Sequence, residues 1–271
     1  MVVAVFGAAG QLGQSIQSVK GNFPTMDFHF FDSKDCDITS VEAVEQAFAS
    51  CKPDYCINAA AYTAVDKAES EPEIAFAINA TGAKNLAEIS TKYNRTLIHI
   101  STDFIFDGTS KIPYTESDST NPLGVYGSTK LQGEKFVQAF AKRHFIIRTS
   151  WVYSEFGSNF YKTMLRLSAD RDKISVVDDQ IGCPTNAVNL AKAILKIIQI
   201  DAENPSDTNY GIYNYSDDWQ CSWFEFAKKI FEDNNVTIIV DPIPSSAYPT
   251  PAERPKYSVL DTMKIKNFLE K

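Results

Sequence analysis

The strongest constraint on this 271-residue chain lies in its first thirteen residues. An apolar run, Val2–Phe6, leads straight into Gly7-Ala8-Ala9-Gly10-Gln11-Leu12-Gly13, and a helical pattern covers Gln11–Lys20. Glycines at a strand–helix junction allow a tight turn and a close backbone approach. The helix start adds N–H donors and the positive end of a dipole, a combination suited to a pyrophosphate. The spacing is G-x-x-G-x-x-G, and a plain tight connection would also use glycine. Its place directly after the first strand favours the ligand, so Gly7, Gly10 and Gly13 are expected around a nucleotide cofactor.

The alternation continues. Strands are expected at Asp27–Phe31, Tyr55–Ala59, Thr96–Ser101 and Phe145–Arg148, and helices at Val41–Cys51, Glu71–Tyr93 and Gly127–Arg143. Short apolar runs alternating with helices predict an α/β fold: a Rossmann-type doubly wound parallel sheet, covered on both faces. Asp32 ends the second strand, 22 residues after Gly10. A carboxylate there accepts hydrogen bonds from the adenosine ribose and favours NAD, while nearby Lys34 softens repulsion of a 2′-phosphate and keeps NADP open. Asp37-Ile38 lies in the next loop, where an adenine edge would sit. Asn58-Ala59-Ala60-Ala61-Tyr62 closes the third strand, and its small side chains allow a cofactor to lie against backbone.

Beyond Val152 the pattern loosens. Helices are expected at Asn159–Ala169, Val188–Ile200 and Ser222–Asn234, and strands at Ile174–Val177 and Thr237–Val240. Five of the twelve prolines crowd into Pro242–Pro255, which reads as a loop. The expected organisation is a cofactor-binding domain over 1–151 and, over 152–271, a smaller α/β substrate-binding lobe interleaved with elements that return to the first domain. The net charge of −8 argues against nucleic acid or an anionic membrane as partner. Five scattered cysteines and three separated histidines suggest neither a disulfide framework nor a metal site. With no leader-like or membrane-spanning run, a cytoplasmic location is expected.

Chemistry points to two short segments. Tyr126 and Lys130 are four residues apart on an expected helix, so they share a face. A neighbouring ammonium favours the phenolate, and a phenol lowered in this way can exchange a proton with an alcohol or carbonyl near neutral pH. Ser101-Thr102-Asp103 ends the preceding strand, where a hydroxyl can bond a carbonyl oxygen or the alkoxide it becomes. Alone, such a pair arises by chance and a Ser-Thr at a strand end is a turn former. Beside a nucleotide-binding turn they become a candidate site.

Together these features resemble the extended short-chain dehydrogenase/reductases. Longer segments narrow the resemblance to the dTDP-4-dehydrorhamnose reductase family: Ser101–Gly108, Pro122–Lys130, Arg148–Tyr153 and Ala247–Pro255, with Ala61–Pro72 and Asp178–Thr185 in support. They span essentially the whole chain. The resemblance implies NADH- or NADPH-dependent reduction of the 4-keto group of dTDP-4-dehydro-L-rhamnose. It implies Tyr126 as general acid, Lys130 as the residue that lowers the tyrosine and holds the nicotinamide ribose, and Thr102 as the hydroxyl that polarises the ketone. Gln11, Leu12, Asp37, Ile38, Ala60, Ala61 and Tyr62 match cofactor contacts, Gly10 among them. Asp103 and Trp151 match substrate contacts, with Trp151 suited to lie against a sugar face. Arg254 is the candidate for the substrate diphosphate, whose geometry fits a guanidinium fork.

The chain also departs from the family. Phe104 stands where many members have tyrosine, and Gln14-Ser15 offers no carboxylate where some members hold magnesium, so no metal is expected. The sequence stops at Lys271, earlier than the family pattern. A monomer or weak homodimer is expected. Dehydratases of the superfamily carry an Asp-Glu pair after the threonine, whereas Asp103 is followed here by Phe104. A reductase of another nucleotide 4-keto-sugar is one alternative. A second is a cofactor-binding regulatory subunit like that of methionine adenosyltransferase. Trp219 and Trp223 read as packing residues, and Glu69 and Glu71 as a charged helix face.

Overall fold

The computed structural model describes residues 1–271. Its first element, β1 (Val2–Phe6), shows how the fold is specified. Successive strand side chains point to opposite faces. Val3 and Val5 enter one apolar cluster, Ala4 and Phe6 another. The same division holds at β5 (His144–Thr149), where Phe145 and Ile147 join the first cluster and Ile146 the second. A sheet apolar on both faces must be covered on both.

The coverage comes from α1 (Gln11–Val19) on one side, and from α2 (Val41–Cys51) on the other. Strands β2 (Asp27–Phe31), β3 (Tyr55–Asn58) and β4 (Thr96–Thr102) complete the first half of the sheet. The expected helix over Glu71–Tyr93 is broken in the structure. After the one-turn α3 (Val65–Ala68) come α4 (Pro72–Phe76), a π turn at Ala77–Gly82 and α5 (Ala83–Lys92). Helix α6 (Val125–Phe140) then packs against the π turn, its Gly133 so close that a Cβ would collide with the Asn79 carbonyl.

Two short bridges follow at β6 (Val152–Tyr153) and, later, β9 (Thr185–Asn186), which pair in parallel. Between them lie α7 (Phe160–Ala169), β7 (Lys173–Val177) and β8 (Ile181–Gly182). Helix α8 (Ala187–Glu203) returns to pack on α1, and β10 (Gly211–Tyr215) joins the main sheet in parallel beside β5. The six-stranded order is β10-β5-β4-β3-β1-β2, and it reverses between β1 and β3. The crevice at such a reversal, beyond the strands' carboxyl ends, is where open α/β sheets bind ligands.

The remaining elements are β11 (Cys221–Ser222), α9 (Trp223–Asp233), β12 (Ile239–Ile243) and α10 (Met263–Leu269). Helix α9 begins with a capping box between Ser222 and Glu225. It joins α7 and the β7–β12 pair around a separate apolar cluster that includes Met164, Ile174, Phe226 and Phe231. The last strand lies later than Thr237–Val240 and runs through Pro242. A proline fits there because β12 pairs with β7 alone, leaving its other edge free of ladder bonds.

One buried ion pair locks the centre. Arg148 on β5 grips Glu134 on α6 through Nε and Nη2, at 2.8–3.3 Å, with Glu134 fully buried. Arg148 Nη1 also donates to the Glu116 carbonyl, and Glu116 accepts the Asn214 N–H on β10. No helix is long and apolar enough to cross a membrane.

Candidate active site

A cavity of about 680 Å³ opens where β1, β3, β4 and β5 end, with the smaller lobe as its far wall. It is lined by Gly10, Gln11, Leu12, Ala60, Ala61, Thr102, Asp103, Tyr126, Lys130, Trp151 and Arg254, all of them site candidates from the sequence. Gly7, Gly13, Asp32, Asp37, Ile38 and Tyr62 are not in its wall.

The glycines divide by task. Gly7 adopts φ +86°, and a Cβ there would strike the Ala60 backbone; a Cβ on Gly13 would strike Gly7 and Ala8. These two flatten the turn against the end of β3. Gly10 faces open space apart from the Gly7 carbonyl, and no side chain caps the α1 N-terminus behind it. That uncapped, Cβ-free end is a cradle that fits a pyrophosphate. At the end of β3, Asn58 accepts the Ala60 N–H and donates to His99 Nδ1, so His99 is held neutral. Burial pushes the His99 imidazole well below its ordinary range, which agrees.

The residues outside the wall have other duties. Asp32 Oδ1 accepts the N–H groups of Lys34 and Asp35 in a turn, which holds its carboxyl below the usual range. Asp37 closes a similar turn at Thr39. Ile38 is buried against Gly82 of the π turn. Tyr62 has both backbone groups held by Asn79, while its hydroxyl donates to Glu71. Asn79 also donates to Thr129 on α6, so the π turn ties the segment after β3 to the helix that carries Tyr126. Mid-helix π turns gather at such functional positions.

Helix α6 begins at an N-cap glycine, Gly124, with no side-chain cap of its own. Glu69 reaches across and accepts the Val125 N–H at 2.8 Å, so it serves as a cap rather than as a solvated face. Gly127 lies against the Phe104 carbonyl with no room for a Cβ, which brings Tyr126 edge-on to Phe104 at 5.6 Å. One turn on, Lys130 is buried, and its Nζ donates to the Ile100 carbonyl at 2.6 Å.

The electrostatics correct the sequence expectation. Lys130 does not lower Tyr126 here. Burial pushes the phenol up to about 12, with buried Asp103 adding to the rise and a hydrogen bond with Thr102 opposing it. Burial also draws Lys130 down to about 8, with Glu134 acting to retain its charge. The phenol is therefore held protonated, as a proton donor must be. Thr102 Oγ1 also contacts Asp103 Oδ1 at 3.1 Å and accepts the Phe104 N–H. Asp103 is buried and raised to about 6 by desolvation.

The lobe wall is aromatic. Trp151 takes φ +47°, an uncommon backbone for a bulky residue, and its indole stacks on Trp223 at 3.5 Å and 7°. Gly182 crowds the same indole so closely that a Cβ would overlap it. One face of Trp151 is thus taken by Trp223, and Trp223 itself lines the cavity instead of serving only as packing. A second chamber of about 440 Å³ adjoins the first, sharing Phe104, Trp151, Phe160, Trp223 and Arg254.

Arg254 stands at that junction. Its guanidinium forks onto Asp66 of α3, with Nη1–Oδ1 at 3.0 Å and Nη2–Oδ2 at 2.8 Å. Asp66 had no marker beyond its place in the Ala61–Pro72 segment. From the other side, Gln11 Oε1 accepts hydrogen bonds from Ser154 and Asn159 of the lobe. Such residues are recognised only once the fold supplies their partners.

Comparison with known proteins shows what the chain as a whole is similar to. The family model described as RmlD substrate binding domain matches residues 1–270. A dTDP-4-dehydrorhamnose reductase of Escherichia coli (strain K12) is 41% identical, over 98% of this chain and 91% of that protein. A crystal structure of a dTDP-4-dehydrorhamnose reductase from Clostridium acetobutylicum ATCC 824 is 42% identical with a TM-score of 0.91, covering 99% of this chain and 92% of that one. Another, from Bacillus anthracis str. Ames in complex with NADP, is 41% identical with a TM-score of 0.92, covering 98% and 92%.

Proposed function

Because the chain belongs to the dTDP-4-dehydrorhamnose reductase family, we infer that it is an oxidoreductase reducing the 4-keto group of dTDP-4-dehydro-L-rhamnose to dTDP-L-rhamnose. The observation that carries the reading is one cavity holding Thr102, Tyr126 and Lys130 beside the open glycine turn and Ala60-Ala61. Its cofactor is NAD(P)H, and the NADP bound by the Bacillus anthracis relative supports the phosphorylated form. When bound, the nicotinamide supplies the hydride that reaches C4 of the sugar.

The chain's own residues do the rest. Tyr126 gives its proton to the ketone oxygen as charge builds there, a role that suits a phenol held protonated. Thr102 orients that phenol and bonds the same oxygen. Lys130, which Glu134 helps to keep charged, would hold the nicotinamide ribose. Gly10, Gln11 and Leu12 hold the pyrophosphate at the α1 start, and Asp32 stands at the β2 end for the adenosine ribose. Asp103 and the Trp151–Trp223 pair border the sugar, and Arg254 faces the diphosphate.

In this reading, residues 1–151 serve the cofactor and 152–271 mainly the substrate. The enzyme works in the cytoplasm as a monomer or weak homodimer and feeds cell-surface polysaccharide synthesis. The test is oxidation of NADH and NADPH in the presence of dTDP-4-dehydro-L-rhamnose. Turnover with neither cofactor would sink the assignment, and turnover only with another nucleotide 4-keto-sugar would redirect it.

A further inference from the structure

The carboxyl ends of β4 and β5 carry polar side-chain atoms that no hydrogen bond satisfies: Ser101 Oγ, Asp103 Oδ2 and Thr149 Oγ1. All three residues line the reaction cavity. A buried polar atom without a partner is costly, and natural proteins retain few of them. Thr149 is the informative one, because neither the family resemblance nor the chemistry above gives it a task. It is 5% exposed, and its register partner on β4 is Thr102. In-register residues project to the same face of a sheet, so the idle Thr149 hydroxyl stands one strand over from the hydroxyl at the ketone.

The path of the cofactor identifies the missing partner. The pyrophosphate cradle is at the end of β1, Ala60-Ala61 follow β3, and Thr102 ends β4. The strands run β1-β3-β4-β5, so three inter-strand steps of about 4.8 Å carry a ligand roughly 14 Å from the glycine turn to Thr149. A nicotinamide that brings its C4 to a ketone at Thr102 and Tyr126 has its carboxamide on the neighbouring ring carbon. In one of the two rotations of the ring that group would come to the β5 side, where the unpartnered Thr149 hydroxyl lines the cavity. A hydroxyl can both donate and accept, which matches an amide. An ionised Asp103 can only accept, and Ser101 pairs in register with Arg148, whose side chain goes to the α6 face of the sheet.

Resting on the nicotinamide-dependent reading above, we propose that Thr149 binds the carboxamide of the cofactor and sets the rotation of the nicotinamide ring. The test needs no turnover. Calorimetric titration of Thr149→Val with NADPH should give a Kd raised roughly fivefold, the loss of one neutral hydrogen bond. The same variant should bind 2′-phospho-ADP-ribose, which lacks the nicotinamide, as the wild type does. Thr149→Ser should restore NADPH binding. Removal of an unpaired buried hydroxyl should leave the Tm of the free protein unchanged or raised. An unchanged NADPH Kd in Thr149→Val would overturn the assignment, as would an equal loss for both ligands. A wild type that binds neither ligand would instead overturn the cofactor reading, and the assignment with it.

Discussion

The two walls of the cavity are built by different means. Along the sheet edge, Thr102, Tyr126 and Lys130 come from one strand end and the helix that follows it, held by register and by close glycine contacts. Across the cavity, Trp151, Trp223 and Arg254 come from distant segments. They are fixed by an aromatic stack and by an ion pair that spans 188 residues of chain. The first wall inherits its rigidity from the sheet, while the second must be tied in place. On the proposed function the two walls divide the labour, with chemistry on the rigid one and recognition on the tied one.

The largest effect should come from breaking the rigid wall. Arg148→Met leaves Glu134 charged and buried without its partner, and should cost about 3–5 kcal/mol in a urea melt. A loss under ~1 kcal/mol would show that the wall does not depend on that lock. Next is Tyr126→Phe, which should lower kcat by roughly 10² or more while NADPH binding and Tm stay near wild type. Nearly full activity would remove Tyr126 as proton donor. On the tied wall, Arg254→Gln should raise KM for the nucleotide sugar by about tenfold, as for one lost charge-assisted contact, and leave KM for NADPH alone. If kcat fell and KM did not, the division between the walls would fail.

The smallest effect concerns pH. Lys130 is drawn down to about 8 from an ordinary 10.5, and on the proposed function its charged form holds the nicotinamide ribose. kcat/KM should hold below pH 8 and fall above it, and Lys130→Arg should move that limb upward. Stability should move the other way. The unfolded chain binds the Lys130 proton more tightly, so this residue's contribution to folding improves as pH rises from about 8 toward 10.5. A denaturation series over that window, set beside the rate profile, tests both signs.

The two walls also differ in how far they could be read from the sequence. Strands such as β1 and β5 declare themselves because each is apolar on both faces, and the glycine turn marks their ligand end. The π turn at Ala77–Gly82 was invisible, since one wide turn barely disturbs a helical apolar pattern. Strand β10 went unread because Gly211–Tyr215 mixes glycine, asparagine and tyrosine, and its place in the sheet depends on β5. In the site, Tyr126, Lys130 and Thr102 were legible as a local spacing beside a strand end. Trp223, Asp66, Asn79 and Glu69 were not, because each acts on a partner far along the chain. The direction of the Tyr126 shift was misread for a related reason: spacing reveals a neighbouring charge, but not the burial that outweighs it.

The Asp66–Arg254 fork bears on how the protein is made. Chains fold as they are synthesised, early segments first. The sheet edge with Thr102 and Tyr126 can form once β5 is complete, but the arginine that closes the second wall follows Asp66 by 188 residues. Until it emerges, a nascent chain would present an open, partly apolar trough to its surroundings. Enzyme competence would then arrive in a single late step, when the last proline-rich stretch folds back onto a helix made long before it.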